Sequence, residues 1–71
     1  MGDIRLGGRI RAFRKLKGFT QQELADEMGV SLSFVGTLER GTKPSTEVVL
    51  RKIANTLQVD YEELCAINKK E

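Results

Sequence analysis

Between Thr20 and Gly41 the apolar residues fall at spacings that two short helices, folded across a tight turn, bury together. Leu24 and Met28 are one turn apart, Val35 and Leu38 lie three residues apart, and Val30 stands between the pairs. All five can point into one small core. Ala25 lies where the two helices would cross most closely, and a longer side chain there would force them apart. Gly29 stands where the first helix must stop and turn, a position that favours φ > 0 and hence glycine. Ser31 can then cap the second helix through its hydroxyl.

This pattern is a helix-turn-helix, whose second helix is sized to enter the major groove of double-stranded DNA. The rest of the chain supports it. Residues 1–20 carry Arg5, Arg9, Arg11, Arg14, Lys15 and Lys17 against Asp3 alone, while the acids gather later as Asp26–Glu27 and Asp60, Glu62 and Glu63. The net charge of +2 is therefore less informative than its placement, a basic end suited to phosphates, nucleic acid or an acidic protein.

With 71 residues and 39% apolar content, the chain is read as one domain, 1–71, with an ordered core of about 4–67. One cysteine and no histidine exclude an intramolecular disulfide and an ordinary zinc site, so no metal or cofactor is expected. No nucleophile–base constellation and no phosphate-binding glycine loop can be found, so the chain is not expected to be an enzyme. No apolar run reaches membrane-span length and the start does not resemble a signal peptide, so a cytoplasmic protein is expected.

The fold class expected is all-α, with five helices. Helix one covers about Ile4 to Lys17 and buries Leu6, Ile10 and Phe13, although the Gly7-Gly8 pair delays a firm start to Arg9. Gly18 ends it and Phe19 returns to the core. Thr20 with Glu23 forms a capping box opening helix two. Helix three covers Leu32 to about Arg40 and stops at Gly41. Ser45 or Thr46 caps helix four, which buries Leu50, Ile53, Ala54 and Leu57. Asp60 with Glu63 forms a second capping box for a short helix five that buries Tyr61, Leu64 and Cys65. The tail from Asn68 is polar and frayed.

The residues Arg14, Gly18, Thr20-Gln21, Leu24-Ala25, Gly29-Val30 and Leu38-Glu39-Arg40-Gly41 together resemble the lambda-repressor-like helix-turn-helix family, the class of phage repressors, Cro proteins and XRE-type regulators. The likeness covers roughly residues 6 to 66 and implies a compact five-helix DNA-binding domain. It implies that Leu32, Ser33, Gly36 and Thr37 face base edges. It implies that Gln21, at the start of helix two, binds a phosphate, where free N–H groups and the helix dipole suit an anion. Ser31, Arg40, Thr42 and Lys43 are the next phosphate candidates, followed by Arg9 and Lys17. Arg14 and Glu39 are expected to form a partly buried salt bridge between helix one and the end of helix three.

One departure from the family pattern matters for recognition. The base-facing positions carry none of the long amides or cations that many members use, so none of the four can make a bidentate contact with a base. Gly36 is either a gap for backbone or water to approach the groove, or a surface glycine weakening the helix. Phe34 either packs its edge on helix four or touches the sugar-phosphate backbone.

Such domains generally bind DNA as symmetric dimers. The resemblance places self-association on helix five and the turn before it, at Val59, Tyr61, Leu64, Cys65 and Ile67, with Leu64 and Cys65 alternatively finishing the monomer core. The expected function is a sequence-specific transcriptional regulator, a repressor of a palindromic operator, acting as a homodimer. An activator, a restriction–modification controller and an antitoxin share this architecture. A protein-interaction module, a coactivator-like bridge to a protein partner, is the reading from another class. No separate dimerisation or ligand domain is seen, as in a minimal repressor or a truncated longer protein.

Overall fold

The computed structural model describes residues 4–42 and 45–65. Within them the chain forms α1 (Ile4–Leu16), α2 (Gln21–Met28), α3 (Leu32–Arg40), α4 (Glu47–Leu57) and α5 (Tyr61–Leu64), and no strand. Lys43, Pro44, Ile67 and the polar tail lie outside the described residues.

The helix starts are set by side-chain caps. The Thr20 hydroxyl accepts from the Glu23 N–H at 3.0 Å while the Thr20 N–H donates to Glu23 Oε1 at 2.9 Å, which completes the expected capping box of α2. Ser31 caps α3 by accepting from the Phe34 N–H at 3.0 Å. Thr46, rather than Ser45, caps α4 by accepting from the Val49 N–H. The second capping box does not form, because the Asp60 side chain makes no cap hydrogen bond.

The helix ends share one device. After α1, α2, α3 and α4 a residue in the left-handed region turns the chain, at Gly18, Gly29, Gly41 and Gln58. The next N–H in each case reaches back to the last turn, as Phe19 to the Arg14 carbonyl and Val59 to the Ala54 carbonyl. Three of these positions carry the residue that adopts φ > 0 without penalty, and the fourth carries a glutamine at φ 58°.

The core is built from one face of every helix: Ile10 of α1, Leu24, Ala25 and Met28 of α2, Val35 and Leu38 of α3, Leu50, Ile53, Ala54 and Leu57 of α4, and Leu64 of α5. Leu6, Phe13, Phe19, Val30 and Phe34 are half-buried around its margin. The Gly7-Gly8 pair does not delay α1, which is helical from Ile4. Gly7 is buried instead, and a Cβ on it would stand 2.4 Å from the Glu39 carbonyl oxygen and 2.7 Å from that of Leu38. It is a point where α1 and the end of α3 approach closely. Gly8 faces open space. No helix among the described residues is long and apolar enough to cross a membrane.

Candidate nucleic-acid interface

The position of α3 is fixed by a charged cluster at its C-terminal end. Arg14 Nε donates to Glu39 Oε2 at 2.5 Å and Arg14 Nη2 donates to Glu39 Oε1 at 3.1 Å, a fork-on-carboxylate geometry. The two side chains are 7% and 2% exposed, so the pair is shielded from water. Arg14 Nη1 donates to the Phe19 carbonyl at 2.7 Å. Gln21 Nε2 donates to Glu39 Oε1 at 3.1 Å. The Glu39 carboxylate therefore gathers α1 and the first residue of α2 onto the last turn of α3, and through Arg14 the α1–α2 turn as well. Among the described residues no buried side-chain nitrogen or oxygen lacks a hydrogen-bond partner, which is the condition for such a cluster to be stable.

From this anchor α3 presents an outer face. Leu32 is 45% exposed and Ser33 is exposed at its N-terminal end. Thr37 is half-buried and donates its hydroxyl to the Phe34 carbonyl at 2.7 Å, which leaves its oxygen lone pairs as the outward function. Gly36 is buried rather than open. The nearest atoms to a Cβ built on it all belong to Arg40, with Nη1 at 3.0 Å. Phe34 packs half-buried against the core.

Around this face lie the residues suited to phosphates. Ser31 accepts from Phe34 and keeps its own O–H to donate outward. The N–H groups of Gln21 and Gln22 sit in the first turn of α2, where no intrahelical acceptor exists. Gln21 itself is half-buried, with part of its amide committed to Glu39. Thr42 is exposed just past α3 and donates its hydroxyl to the Thr37 carbonyl. Arg40 is exposed.

Two cations expected at phosphates, Arg9 and Lys17, lie beside α5 and the end of α4. Arg9 donates Nε–H to the Leu64 carbonyl at 3.0 Å and Nη2–H to the Glu63 carbonyl, and its guanidinium lies 5.4 Å from the Phe13 ring centre. Its fork is turned onto the C-terminal carbonyls of α5. The signal was available in principle, since a helix end with few capping residues attracts cations. Lys17 flanks a depression shared with Phe19, Thr56, Leu57 and Gln58, beside the end of α4 rather than α3.

Of the residues expected for self-association, Leu64 is fully buried and spent on the chain's own core. Val59, Tyr61 and Cys65 are half-buried at its edge. The Arg51 guanidinium lies 4.1 Å from the centre of the Tyr61 ring, and Arg51 is itself paired with Glu47 at 2.8 Å. Desolvation, then the neighbouring Cys65 thiol and Glu47 carboxylate, hold the Tyr61 phenol above its ordinary value.

Comparison with known proteins places this architecture. The helix-turn-helix family model HTH_3 matches residues 10–64. The HTH-type transcriptional regulator YazB of Bacillus subtilis is 41% identical over 63 residues, covering 89% of this chain and 91% of YazB. The restriction-modification controller protein C.AhdI of Aeromonas hydrophila superposes with a TM-score of 0.81 at 36% identity, over 86% of this chain and 92% of that one. The biofilm master regulator SinR, solved in complex with DNA, superposes with a TM-score of 0.78 at 33% identity, over 84% of this chain and 97% of that one. Against the curated SinR of Bacillus subtilis the chain spans 54% of the relative's length. With the anchored α3, the capped α2 and these matches in agreement, the chain belongs to the XRE-type helix-turn-helix family of DNA-binding transcriptional regulators.

Proposed function

We propose that the protein is a repressor that binds a palindromic operator as a homodimer, with α3 in the major groove and the start of α2 against the phosphate backbone. The observation that carries this reading is the Glu39 cluster, which locks α3 to α1 and α2 while leaving Leu32 and Ser33 exposed. A helix fixed at its C-terminal end and bare at its N-terminal end can enter a groove without reorganising.

In this reading the start of α2, with Ser31, Thr42 and Lys43, supplies phosphate contacts and hence most of the affinity. Leu32 offers apolar contact to thymine methyls, and Ser33 and Thr37 offer single hydroxyl hydrogen bonds. The partner copy would meet Val59, Tyr61 and Cys65, the half-buried edge that Leu64 anchors from inside. Occupancy of the operator would exclude polymerase, in the cytoplasm.

Selection from a random duplex library at near-physiological salt tests this. The expected product is an inverted repeat whose half-site centres lie about 10 bp apart, with enrichment lost in a Leu32→Ala/Ser33→Ala variant. Equal binding to every sequence would overturn the operator-binding reading and leave a protein partner as the alternative.

A further inference from the structure

The four base-facing positions named from sequence lack a group that can grip a base through two hydrogen bonds, yet the structure brings one to that face. Leu32, Gly36 and Arg40 follow one another at i, i+4 and i+8 along α3, so they form a single row. Side chains on a helix lean toward its N-terminus, so Arg40 is directed back over Gly36. The distances agree: Nη1 lies 3.0 Å, and Cζ and Nη2 each 3.8 Å, from the place a Gly36 Cβ would occupy. The missing side chain at Gly36 thus leaves room for the guanidinium to fold back over it, one turn toward the Leu32 and Ser33 end. Gly36 is buried because Arg40 covers it, while Arg40 is exposed. Among the described residues no carboxylate or carbonyl engages the Arg40 fork.

We propose that Arg40 is the main base-reading residue of this protein, and that Gly36 positions it to take guanine O6 and N7 in the major groove. The fork of a guanidinium matches those two acceptors, and its rigid plane resists other bases. A residue past the end of the usual base-facing stretch supplies the bidentate contact, because the glycine before it leaves room to fold back. This rests on the operator-binding reading, and its test separates the two.

The selected operator is used first to find the guanine in each half-site, and the preference for that guanine over the other bases is measured as a ratio of affinities. Replacing it with 7-deazaguanine removes the N7 acceptor. The native chain is expected to lose about tenfold in affinity on that replacement, and the Arg40→Ala variant to be indifferent to it. The guanine preference is expected to fall about tenfold in Arg40→Ala. It is expected to fall likewise in Gly36→Val, which keeps the charge but fills the space under the guanidinium. Arg40 is exposed and Gly36 is covered only by its side chain, and thermal denaturation checks that both variants stay folded. If Arg40→Ala weakens every sequence equally and leaves the ratio intact, Arg40 contacts phosphate and the assignment is wrong. If Gly36→Val keeps the full ratio, the positioning role of Gly36 is overturned. A native chain that enriches no sequence at all overturns the operator-binding reading and this assignment together, whereas enrichment without a guanine effect overturns this assignment alone.

Discussion

Arg14 and Glu39, 25 residues apart in sequence, meet side-on with the carboxylate held at 2.5 and 3.1 Å, both side chains almost wholly shielded from water. A buried ion pair of this kind adds little over a well-packed apolar pair, since desolvation offsets most of the attraction. Its value is geometric. An arginine fork fixes direction as well as distance, and the same carboxylate holds Gln21 while the same guanidinium holds the Phe19 carbonyl. The helix proposed to enter the groove is oriented by charge at its C-terminal end and exposes Leu32 and Ser33 at the other.

Removing one partner leaves the other charged and dry. Arg14→Ala is expected to destabilise the fold by about 3 kcal/mol, the low end of what losing one member of a buried pair costs. At this chain length that is a fall in Tm of roughly 12–24 °C. Urea and thermal denaturation of the variant give the answer. Full thermal stability in Arg14→Ala would show that Glu39 finds water or another donor when the fork is gone.

Adjacent glycines should respond in opposite directions to the same change. Gly8 faces open space within α1, so Gly8→Ala gains helix propensity and stabilises by about 1 kcal/mol. Gly7→Ala places a Cβ 2.4 Å from the Glu39 carbonyl oxygen, and backbone atoms cannot step aside. The resulting separation of α1 from α3 is expected to outweigh the propensity gain, for a net loss of about 1–2 kcal/mol. Because the clash falls next to Glu39, Gly7→Ala is also expected to weaken DNA binding beyond the loss of folded protein. A stabilised Gly7→Ala would mean that the two helices can part without cost.

Much of this fold could be read along the chain because its cues are local. Thr20 with Glu23, Ser31, and the glycines at 18, 29 and 41 each mark a helix end by their own chemistry, and the spacing of Leu24, Met28, Val35 and Leu38 gives the face to be buried. Part of what escaped was non-local. Gly7 looks like a weak spot until the α3 carbonyls that lie on it are known. Arg9 looks like one more surface cation until α5 ends beside it, 54 and 55 residues away in sequence. Gly36 looks like either a gap or a flaw, because the side chain that covers it comes from the following turn. Asp60 carried a capping signature that the short α5 does not use.

Gln58 closes α4 in the left-handed region at φ 58°, where the other three helix ends of the same kind use glycine. A side chain in that conformation costs about 1–2 kcal/mol, and glycine avoids it at the expense of a more flexible unfolded chain. Gln58→Gly is therefore expected to stabilise by about 0.5–1 kcal/mol, which raises Tm by a few degrees. Gln58→Ala leaves the strain in place and is expected to gain nothing. Thermal melts of the two variants side by side decide the matter, since equal stability would show that the strain at this position does not exceed the entropic cost of glycine.

Arg9 offers a test of whether a basic residue of α1 serves DNA or the fold. Its Nε and Nη2 hydrogens are given to the Leu64 and Glu63 carbonyls, so α5, only four residues long, is held at its open end by α1. Arg9→Ala is expected to speed amide exchange at Leu64 and Cys65 and to cost about 1 kcal/mol, the loss of a charge-assisted bond discounted for partial exposure. The salt dependence of DNA binding should not change. A cation that neutralises one phosphate steepens the slope of log K against log salt by about 0.9, so a slope shallower by that amount in Arg9→Ala would put Arg9 on the backbone after all. Running Lys17→Ala, beside the end of α4, in the same titration supplies a control that is also expected to leave the slope unchanged.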